Sequence, residues 1–345
     1  MVLSIEEIFG FKPKRVLVYG GGGGGDVVSA AVLASALKRI GVEAFIGGVG
    51  WERFIIDPVP GPIKIHEYRN VEKINEYTIL VTKDTIVERE GHVFKPQTAY
   101  VSEAVKEPII VIDLWHGVKG YAEGLVKTSK YFNIDGFILV DVGGDIIATG
   151  CEEELWSPLA DMMSLAAFYK AKKDVSIVAL HSIGSDGELD QDYILKRITH
   201  ACSKGGYLGA RGLTPYDAKL LEKILKMAHS EASLIPLLAF KGLFGYKEIR
   251  RSTRKVLVSP IQLITFFLKL ETVYNLSPLA QLISETSTLY ETKEIMNNYG
   301  VYTELDLEED LRAYGGKVDG ETILSVRKKG LKKLKKYRLR LCRQA

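Results

Sequence analysis

The chain has 345 residues, of which 46% are hydrophobic and 26% are charged, as is typical of a soluble globular protein with a large core. Its formal net charge of +3 at pH 7 is too small to indicate a nucleic-acid partner by itself. No stretch approaches the ~20 apolar residues that cross a bilayer, and the N-terminus has no apolar run, so we expect a cytoplasmic protein without a membrane partner. Asn and Gln together number only 11 while Lys and Glu are frequent, which suits a thermophilic protein.

The first elements are a predicted strand at residues 15–19, a run of glycines and a predicted helix at residues 27–40. Each glycine gives up roughly 0.5–1 kcal/mol of backbone entropy relative to alanine, so a long run indicates backbone that approaches a ligand or takes positive φ angles. Because N–H groups at a helix start bind anions, the run predicts a cradle for phosphate or carboxylate, with a tight structural turn as the alternative. The predicted ligand-binding residues are Gly20, Gly21, Gly22, Gly23, Gly24, Gly25 and Asp26.

Further along the chain, short apolar segments alternate with helical patterns, which predicts an α/β fold with a doubly wound, mainly parallel, Rossmann-like sheet. Hydroxyl residues followed by proline predict helix starts at Ser157-Pro158, Thr214-Pro215 and Ser277-Pro278. Residues 264–267 fit either a strand or a helix. The predicted strands after the first cover residues 43–46, 78–81, 108–113, 136–140 and 175–180.

The pattern changes near residue 255, beyond which helical segments dominate. We therefore predict two parts. Residues 1–254 form the Rossmann-like core with the anion-binding loop, and residues 255–345 form a helix-rich C-terminal extension packed on that core. The extension ends in a basic segment that starts at Arg327 and includes Lys328, Lys329, Lys332, Lys333, Lys335, Lys336 and Arg338. This segment predicts a helix that contacts RNA or an acidic partner, although a solvated surface helix is the favoured interpretation.

Aspartates follow several predicted strands, at the edge of a parallel sheet where ligands bind. Asp26 would cap the first helix, contact a sugar hydroxyl or bind Mg²⁺. Asp141 and Asp145 would converge on one cation or form an acid/base pair, unless they only build a turn. His181 and Asp186 would flank the reacting end, although a lone histidine is more often structural. The loop between Asp141 and Asp145 contributes Gly143 and Gly144 to the predicted binding site.

Known nucleotide-binding signatures are mostly absent. A glycine run satisfies Gly-x-Gly-x-x-Gly trivially, and no Gly-Lys-Ser/Thr follows it, so a P-loop is excluded. Dinucleotide-binding folds carry an acidic residue at the end of the second strand, which binds ribose hydroxyls. Residues 47–50 are Gly-Gly-Val-Gly here, and Glu52 is a poor substitute.

Several segments together resemble a mostly archaeal family of uncharacterised proteins, domain of unknown function 1152. They are residues 20–26, 140–145, 154–161, 184–188 and 303–306. The resemblance spans nearly the whole chain and implies archaeal origin and a single full-length unit. It implies no activity, and no catalytic residue is transferred by it.

These features predict an enzyme that acts on a phosphorylated or nucleotide-like small molecule, with Mg²⁺ as the candidate cofactor. In this scheme the glycine loop holds the anion, and Asp141 and Asp145 bind the metal or move protons. The alternatives are a non-catalytic module that senses a nucleotide or binds RNA through the basic tail, and a structural subunit of a homo-oligomer.

Overall fold

The computed structural model describes residues 13–342, apart from the side chains of residue 55 and of residues 338–342. Three sheets contain the strands. In chain order the strands are β1 (Arg15–Gly20), β2 (Glu43–Gly48), β3 (Tyr68–Arg69), β4 (Glu72–Asn75), β5 (Thr78–Val81), β6 (Ile86–Arg89), β7 (His92–Phe94), β8 (Ile109–Ile112), β9 (Gly136–Val142), β10 (Val175–His181), β11 (Tyr207–Gly212), β12 (Gly245–Ile249), β13 (Arg254–Val258) and β14 (Ile264–Lys269).

Helices connect most of these strands. They are α1 (Asp26–Arg39), α2 (Arg53–Ile56), α3 (Gln97–Val105), α4 (Gly117–Phe132), α5 (Pro158–Lys170), α6 (Gln191–Ser203), α7 (Pro215–Leu225), α8 (Glu231–Phe240), α9 (Leu270–Asn275), α10 (Pro278–Leu282), α11 (Leu289–Asn298), α12 (Glu304–Tyr314) and α13 (Gly320–Cys342). The three predicted hydroxyl–proline helix starts are confirmed, because proline occupies the first position of α5, α7 and α10.

The central sheet has the strand order β11-β14-β10-β9-β1-β2-β8-β5-β4. Its five middle strands, from β8 to β10, are parallel, whereas β14 and β5 join them antiparallel on either side. From β1 in the middle of the sheet the chain passes to β2 and then to the edge strands β4 and β5, returns inward to β8 beside β2, and crosses to β9 on the other side of β1. Such a reversal leaves a crevice beyond the carboxyl ends of the two strands at which it occurs, here β1 and β9.

Hydrophobic clusters cover both faces of this sheet. Because successive strand residues point to opposite faces, Leu17 and Tyr19 join one cluster with α4 and α5, while Val16 and Val18 join the other with α1, α3 and α7. Near-continuous apolar strands are therefore explained by burial on two sides. The prediction of an α/β fold with a large, mostly parallel sheet is confirmed.

The C-terminal part is not exclusively helical. Residues 264–267, for which strand and helix both fitted the sequence, lie in β14 of the central sheet. The strand β13 runs across the predicted boundary between residues 254 and 255. Side chains from α9 to α12, including Leu279, Leu289 and Leu305, belong to the same cluster as Leu17 and Tyr19. These C-terminal residues thus complete the core of the sheet, while others, among them Leu311, Ile323 and Val326, form a smaller cluster with Trp156.

Candidate functional site

A pocket lies over the carboxyl ends of β1 and β9, with a cavity volume of about 120 Å³. The glycine loop, the turn after β9 and the loop after β10 all contribute to its wall, so these three strand-end loops meet at one edge of the sheet, whereas the loop after β8, at residues 113–117, is not part of the lining. The hairpin β12–β13 and the helices α5, α12 and α13 complete it. Its charged lining consists of Asp26, Glu52, Arg53, Asp145, Asp161, Asp186, Glu188, Arg250, Arg251, Arg254, Glu304 and Glu308.

The glycine loop is packed tightly and already hydrogen-bonded. The N–H of Gly21 donates to the Val140 carbonyl, and the N–H of Gly22 donates to the Asp26 carboxylate. The N–H of Gly24 donates to the Trp51 carbonyl, and the N–H of Asp26 donates to the Gly23 carbonyl. Residues 22–26 line the pocket, whereas Gly20 and Gly21 lie below it. The loop therefore forms the floor of the pocket and offers no open row of donors at these four positions.

The glycines make room for charged side chains. A Cβ added at Gly22 would come within 3.0 Å of the Asp161 carboxylate, and one added at Gly23 would come within 2.7 Å of the Arg53 guanidinium. Cβ atoms in proteins essentially never make contacts as short as 2.7 Å. The side chains of Asp161 and Arg53 therefore pack directly against the glycine backbone. Close approach of backbone is the reason for glycine here.

Two triads of buried carboxylates lie beside this floor. In the first triad, Asp26 begins α1, Asp141 lies in β9, and Asp161 lies in the first turn of α5. One carboxylate oxygen from each lies within 4.8 Å of the others. The two oxygens of Asp141 and Oδ1 of Asp161 have no hydrogen-bond partner among the described residues, although these side chains are only 1% and 2% exposed.

The second triad consists of Asp145, Asp186 and Glu188, whose ligand atoms are equally close together. Asp145 follows β9, and the other two follow β10. The Glu188 carboxylate accepts hydrogen bonds from the N–H groups of Trp156 (2.6 Å) and Ser157 (3.0 Å) and from Arg254 Nη1 (3.0 Å). The Ser157 hydroxyl lies between two members of the triad, because it donates its single proton to Glu188 and lies 3.4 Å from Asp145 Oδ2.

Burial and mutual repulsion shift the protonation of these groups. Burial raises the pKa of Asp26 to about 7 and, together with the nearby Glu188 carboxylate, raises that of Asp186 to about 7. Burial and neighbouring carboxylates also raise the pKa values of Asp141, Asp145 and Asp161 well above the usual range.

Glu188 differs, because its pKa is lowered. Burial acts in the raising direction, but the charge of Arg254 and the hydrogen bonds from Ser157 and Trp156 outweigh it. A charged Glu188 beside carboxyls that resist ionisation is an arrangement that a divalent cation would stabilise. Hard cations such as Mg²⁺ and Ca²⁺ prefer carboxylate oxygens.

Arginines lie beside the triads in the wall of the pocket. Arg53 Nη1 lies 3.3 Å from Glu304 Oε1, and its guanidinium stacks 4.4 Å from the ring of Trp51. Arg254 stacks on Trp156, and its Nε, like that of Arg250, is buried without a hydrogen-bond partner among the described residues. Planar guanidinium groups with unused donors are suited to phosphate or carboxylate oxygens.

An unusual turn carries part of this basic wall. Arg250, Arg251 and Ser252, between β12 and β13, have φ angles of +54°, +56° and +61°. Residues other than glycine rarely adopt this region, and each such residue stores roughly 1–3 kcal/mol of strain. Arg53 also has a positive φ of +61°. Four of the nine described non-glycine residues with positive φ are therefore Arg53 and residues 250–252, at the wall of the pocket.

Two glutamates of α12 fix the opposite side of the pocket. Glu304 accepts the N–H groups of Leu159 and Ala160, both at 2.9 Å, and so caps the start of α5. Glu308 accepts Trp51 Nε1 at 2.9 Å and the Gly61 N–H at 2.8 Å. These contacts hold the segment that bears Arg53 against the helix that bears Asp161.

The predicted site residues fall into two groups. Asp26, Asp145 and Asp186 line the pocket, and Asp141 lies directly beneath it in the first triad. His181, Gly143 and Gly144 are not part of its lining. The His181 ring is 7% exposed, its Nδ1 lies 2.8 Å from Thr265 Oγ1, and burial lowers its pKa to about 4. It is thus a neutral histidine between two strands.

Sequence reasoning missed several residues of the pocket. Asp161 and Glu304 lie within the segments that carry the family resemblance, a signal that could have drawn attention to them. Arg53, Arg250, Arg254 and Glu308 had no such signal, since single charged residues in loops and on helices are common on any surface.

The basic C-terminal segment forms α13. Its apolar side, including Ile323 and Val326, packs with Trp156 and Tyr302. The buried Arg327 donates hydrogen bonds to two carbonyls in the segment that precedes α5. Arg338, which was predicted to belong to the basic segment, has a side chain that lies outside the described part of the structure. The exposed basic residues that are described are Lys328, Lys329, Lys332, Lys333, Lys335 and Lys336.

Within residues 13–342, no helix combines the length and apolarity needed to cross a membrane.

Comparisons with known proteins identify a family but no activity. A family model described as a protein of unknown function, DUF1152, matches residues 17–312. No curated protein and no solved structure matches the chain significantly.

Proposed function

The chain belongs to this family of unknown function, and we propose that it is an enzyme that acts on a phosphorylated or nucleotide-like small molecule with bound divalent cations. Mg²⁺ is the first candidate for the cation. The observation that carries the proposal is the presence, in one pocket, of two buried carboxylate triads and of Arg250 and Arg254, each of which has a buried Nε without a hydrogen-bond partner among the described residues.

The unpartnered oxygens of Asp141 are the strongest argument for a cation. Buried polar groups are almost always hydrogen-bonded, and an isolated buried carboxylate costs several kcal/mol unless it is protonated or paired. Asp141 is 1% exposed and both of its oxygens lack a partner among the described residues. A divalent ion held by Asp26, Asp141 and Asp161 would supply that partner, and a second ion held by the other triad would balance the charge of the three carboxyl groups of Asp145, Asp186 and Glu188.

The arginines argue for an anionic substrate. Cations alone would not require Arg53, Arg250 and Arg254 in the same pocket, since guanidinium groups repel them. A phosphate group placed between the two sides would be neutralised by both, as in other metal-assisted phosphoryl transfers. The cations held by the triads would supply positive charge to it, and the buried Nε groups of Arg250 and Arg254 would donate hydrogen bonds to it. The position at the strand-order reversal between β1 and β9 supports a Rossmann-like mode of binding.

The cations would supply Lewis acidity and would orient an attacking water or hydroxyl group. The residues of the chain would bind and position the reactants. Asp145 and Asp186, at the pocket surface, are the candidates for moving a proton, whereas Asp141 is buried beneath them and serves a cation only. The proposed reaction class is transfer or hydrolysis of a phosphoryl group.

The test starts from protein stripped of metal by a chelator. Titration with Mg²⁺ and Mn²⁺ in a calorimeter is expected to show binding, and Mg²⁺ is expected to promote phosphate release from members of a panel of nucleotides and sugar phosphates. Asp161→Asn is expected to weaken cation binding at least tenfold. The exposed Asp192, in the first turn of α6, provides the control substitution Asp192→Asn. Absence of cation binding by the unaltered protein would refute the proposal.

The exposed lysines of α13 favour a second proposal, a module that binds RNA. Six of them follow Arg327 on the solvent side of the helix. Neutralising several phosphates makes affinity fall steeply with salt. RNA retention that is lost in high salt, and lost again when residues 328–345 are deleted, would support this alternative. Retention that depends on neither would exclude it.

A further inference from the structure

The pocket extends past the glycine loop to a buried carboxyl group that the proposed reaction does not use. Glu52 follows β2 and lines the pocket, yet only 5% of the residue is exposed. A Cβ added at Gly24 would lie 3.6 Å from Glu52 Oε1, so the side chain is adjacent to the floor of the pocket. It is separate from both carboxylate triads.

One oxygen of Glu52 is held in place, and the other is unused. Oε1 accepts the Gln97 N–H at 2.9 Å. Gln97 is itself fixed, because its Nε2 donates to the His229 carbonyl and its Oε1 accepts the His229 N–H, both at 2.8 Å. Oε2 has no hydrogen-bond partner among the described residues. A rigid carboxyl with a free, buried oxygen in a pocket is expected to serve a ligand.

The sheet order separates Glu52 from the triads. Glu52 follows β2, on one side of β1, whereas Asp145 and Asp186 follow β9 and β10 on the other side. Neighbouring strands are 4.7–4.9 Å apart, so β2 and β10 lie roughly 14 Å apart across the sheet. A ligand that reaches from the second triad to Glu52 must therefore be longer than a phosphate ion. The glycine loop lies between its two ends.

We infer that Glu52 Oε2 hydrogen-bonds a hydroxyl group of the substrate, and that the substrate class is a phosphorylated sugar or another phosphorylated polyol, including nucleotides. This inference rests on the proposed function, since it places the phosphate beside the triads and the polyol on the β2 side of the glycine loop. Trp51, which precedes Glu52 in the chain, also lines the pocket.

The protonation state of Glu52 explains the choice of a hydroxyl group. Burial, together with the nearby charge of Asp57, raises the pKa of Glu52 to about 8. At neutral pH the carboxyl is therefore largely protonated and donates one hydrogen bond while accepting others. A hydroxyl group can satisfy both roles. An ammonium group would instead require the charged form, and a phosphate dianion, which only accepts hydrogen bonds, would leave the acceptor capacity of the carboxyl unused.

The experiment compares two phosphate esters that differ in their hydroxyl groups. Affinities for ribose 5-phosphate and methyl phosphate are measured by calorimetry in saturating Mg²⁺. The unaltered protein is expected to bind ribose 5-phosphate at least tenfold more tightly. Glu52→Leu is expected to remove this preference while changing the affinity for methyl phosphate less than twofold. Glu52→Gln, whose amide still donates and accepts, is expected to restore part of it.

Matched controls separate this inference from the proposed function. Glu88→Gln alters an exposed glutamate that pairs with Arg69 on the protein surface and should change neither affinity. The Mg²⁺-induced rise in Tm reports whether each variant is folded with intact triads. Equal affinities of the unaltered protein for the two esters would overturn the inference and leave the proposed function standing, as would a preference that survives in Glu52→Leu. If the unaltered protein binds neither ester, both the inference and the proposed function are refuted.

Discussion

Gly143 lies directly against the carboxyl group of Asp186: a Cβ added at residue 143 would come within 2.3 Å of Asp186 Cγ. The backbone N–H of Gly143 donates to the His181 carbonyl, and the Gly143 carbonyl accepts the N–H of Gly184. The loops that follow β9 and β10 are thereby locked together. Gly143 thus belongs to the site by excluding a side chain from the place that Asp186 occupies.

Gly143→Ala should disturb stability and cation binding together. Gly143 has a φ of +129°, which strains any other residue, and the added methyl group would displace Asp186. We expect a loss of about 2–4 kcal/mol in the free energy of unfolding, combining the backbone strain and the clash. We also expect weaker Mg²⁺ binding, measured by calorimetry beside chemical denaturation.

Gly41→Ala is the matched control for this substitution. Gly41 also has a positive φ, of +88°, but a Cβ there would meet no atom within 4 Å. Its loss of stability should be about 1 kcal/mol, from backbone strain alone, and its Mg²⁺ affinity should be unchanged. If the two alanine variants lose the same stability and both bind Mg²⁺ normally, the contact with Asp186 has no role.

The first triad should make the stability of the metal-free protein depend on pH. Burial raises the pKa of Asp26 from 3.8 to about 7 in the folded protein. The native state therefore holds a proton that the unfolded state has released, and stability falls as pH rises from about 4 to above 7. Asp26→Asn, which carries no titrating group, should show a smaller fall of Tm between pH 5 and pH 8 in chelator.

Mg²⁺ should reverse this trend, because the cation replaces the protons. In saturating Mg²⁺ the Tm of the unaltered protein is expected to rise between pH 5 and pH 8. His181 acts in the opposite direction to Asp26: its pKa is lowered from 6.5 to about 4, so its contribution to stability is lost as pH falls through that range. Comparing each variant with the unaltered protein at every pH cancels this effect. A Tm in Mg²⁺ that falls with pH as it does in chelator would contradict cation binding by the triads.

The sequence was sufficient to predict the strands of the central sheet, but not to predict which charged residues gather at its carboxyl edge. Strands such as β9 and β10 are short apolar runs buried on both faces, and local pattern predicts these well. Glu304 and Glu308 are one helical turn apart, which on most helices indicates a solvated face. Both are buried here, because α12 packs against α5 and the segment around Trp51. Only tertiary packing decides between these outcomes.

The arginines illustrate the same limit. Arg250 and Arg254 lie at the tip of a hairpin whose strands have no sequence link to the glycine loop, more than 220 residues earlier in the chain. Their role follows from a turn with three consecutive positive φ angles, which residue type did not predict because Arg and Ser disfavour that conformation. Function at this edge therefore emerges from long-range contacts.

Arg254→Lys should weaken anion binding while preserving the charge. Arg254 stacks 4.5 Å from the Trp156 ring and donates to the Asp186 carbonyl and the Glu188 carboxylate. Lysine cannot reproduce the planar fork or the stacking, so we expect methyl phosphate affinity in Mg²⁺ to fall at least tenfold. Calorimetry in 150 mM salt is the measurement. Arg69→Lys, at an exposed ion pair with Glu88, is the control and should leave the affinity unchanged.

Arg327 of α13 should act as a positioning residue for the second triad. Its guanidinium stacks 4.3 Å from Trp156 on the ring that Arg254 also contacts, and its Nη2 donates to the carbonyls of Glu153 and Leu155. The next two N–H groups along this segment, those of Trp156 and Ser157, donate to Glu188. Arg327 thus holds the segment that orients a cation ligand without touching the cation.

Arg327→Met keeps the apolar contact and removes the hydrogen bonds. We expect Mg²⁺ affinity to fall about three- to tenfold, since loss of such supporting contacts weakens metal sites by 10–100-fold at most. The intrinsic fluorescence of Trp156 should change, and Tm measured in chelator should fall only slightly. Lys328→Met, at the exposed neighbouring position, should alter none of these quantities. A changed fluorescence with unchanged Mg²⁺ affinity would mean that the segment moves independently of Glu188, and that α13 serves only to cover the core.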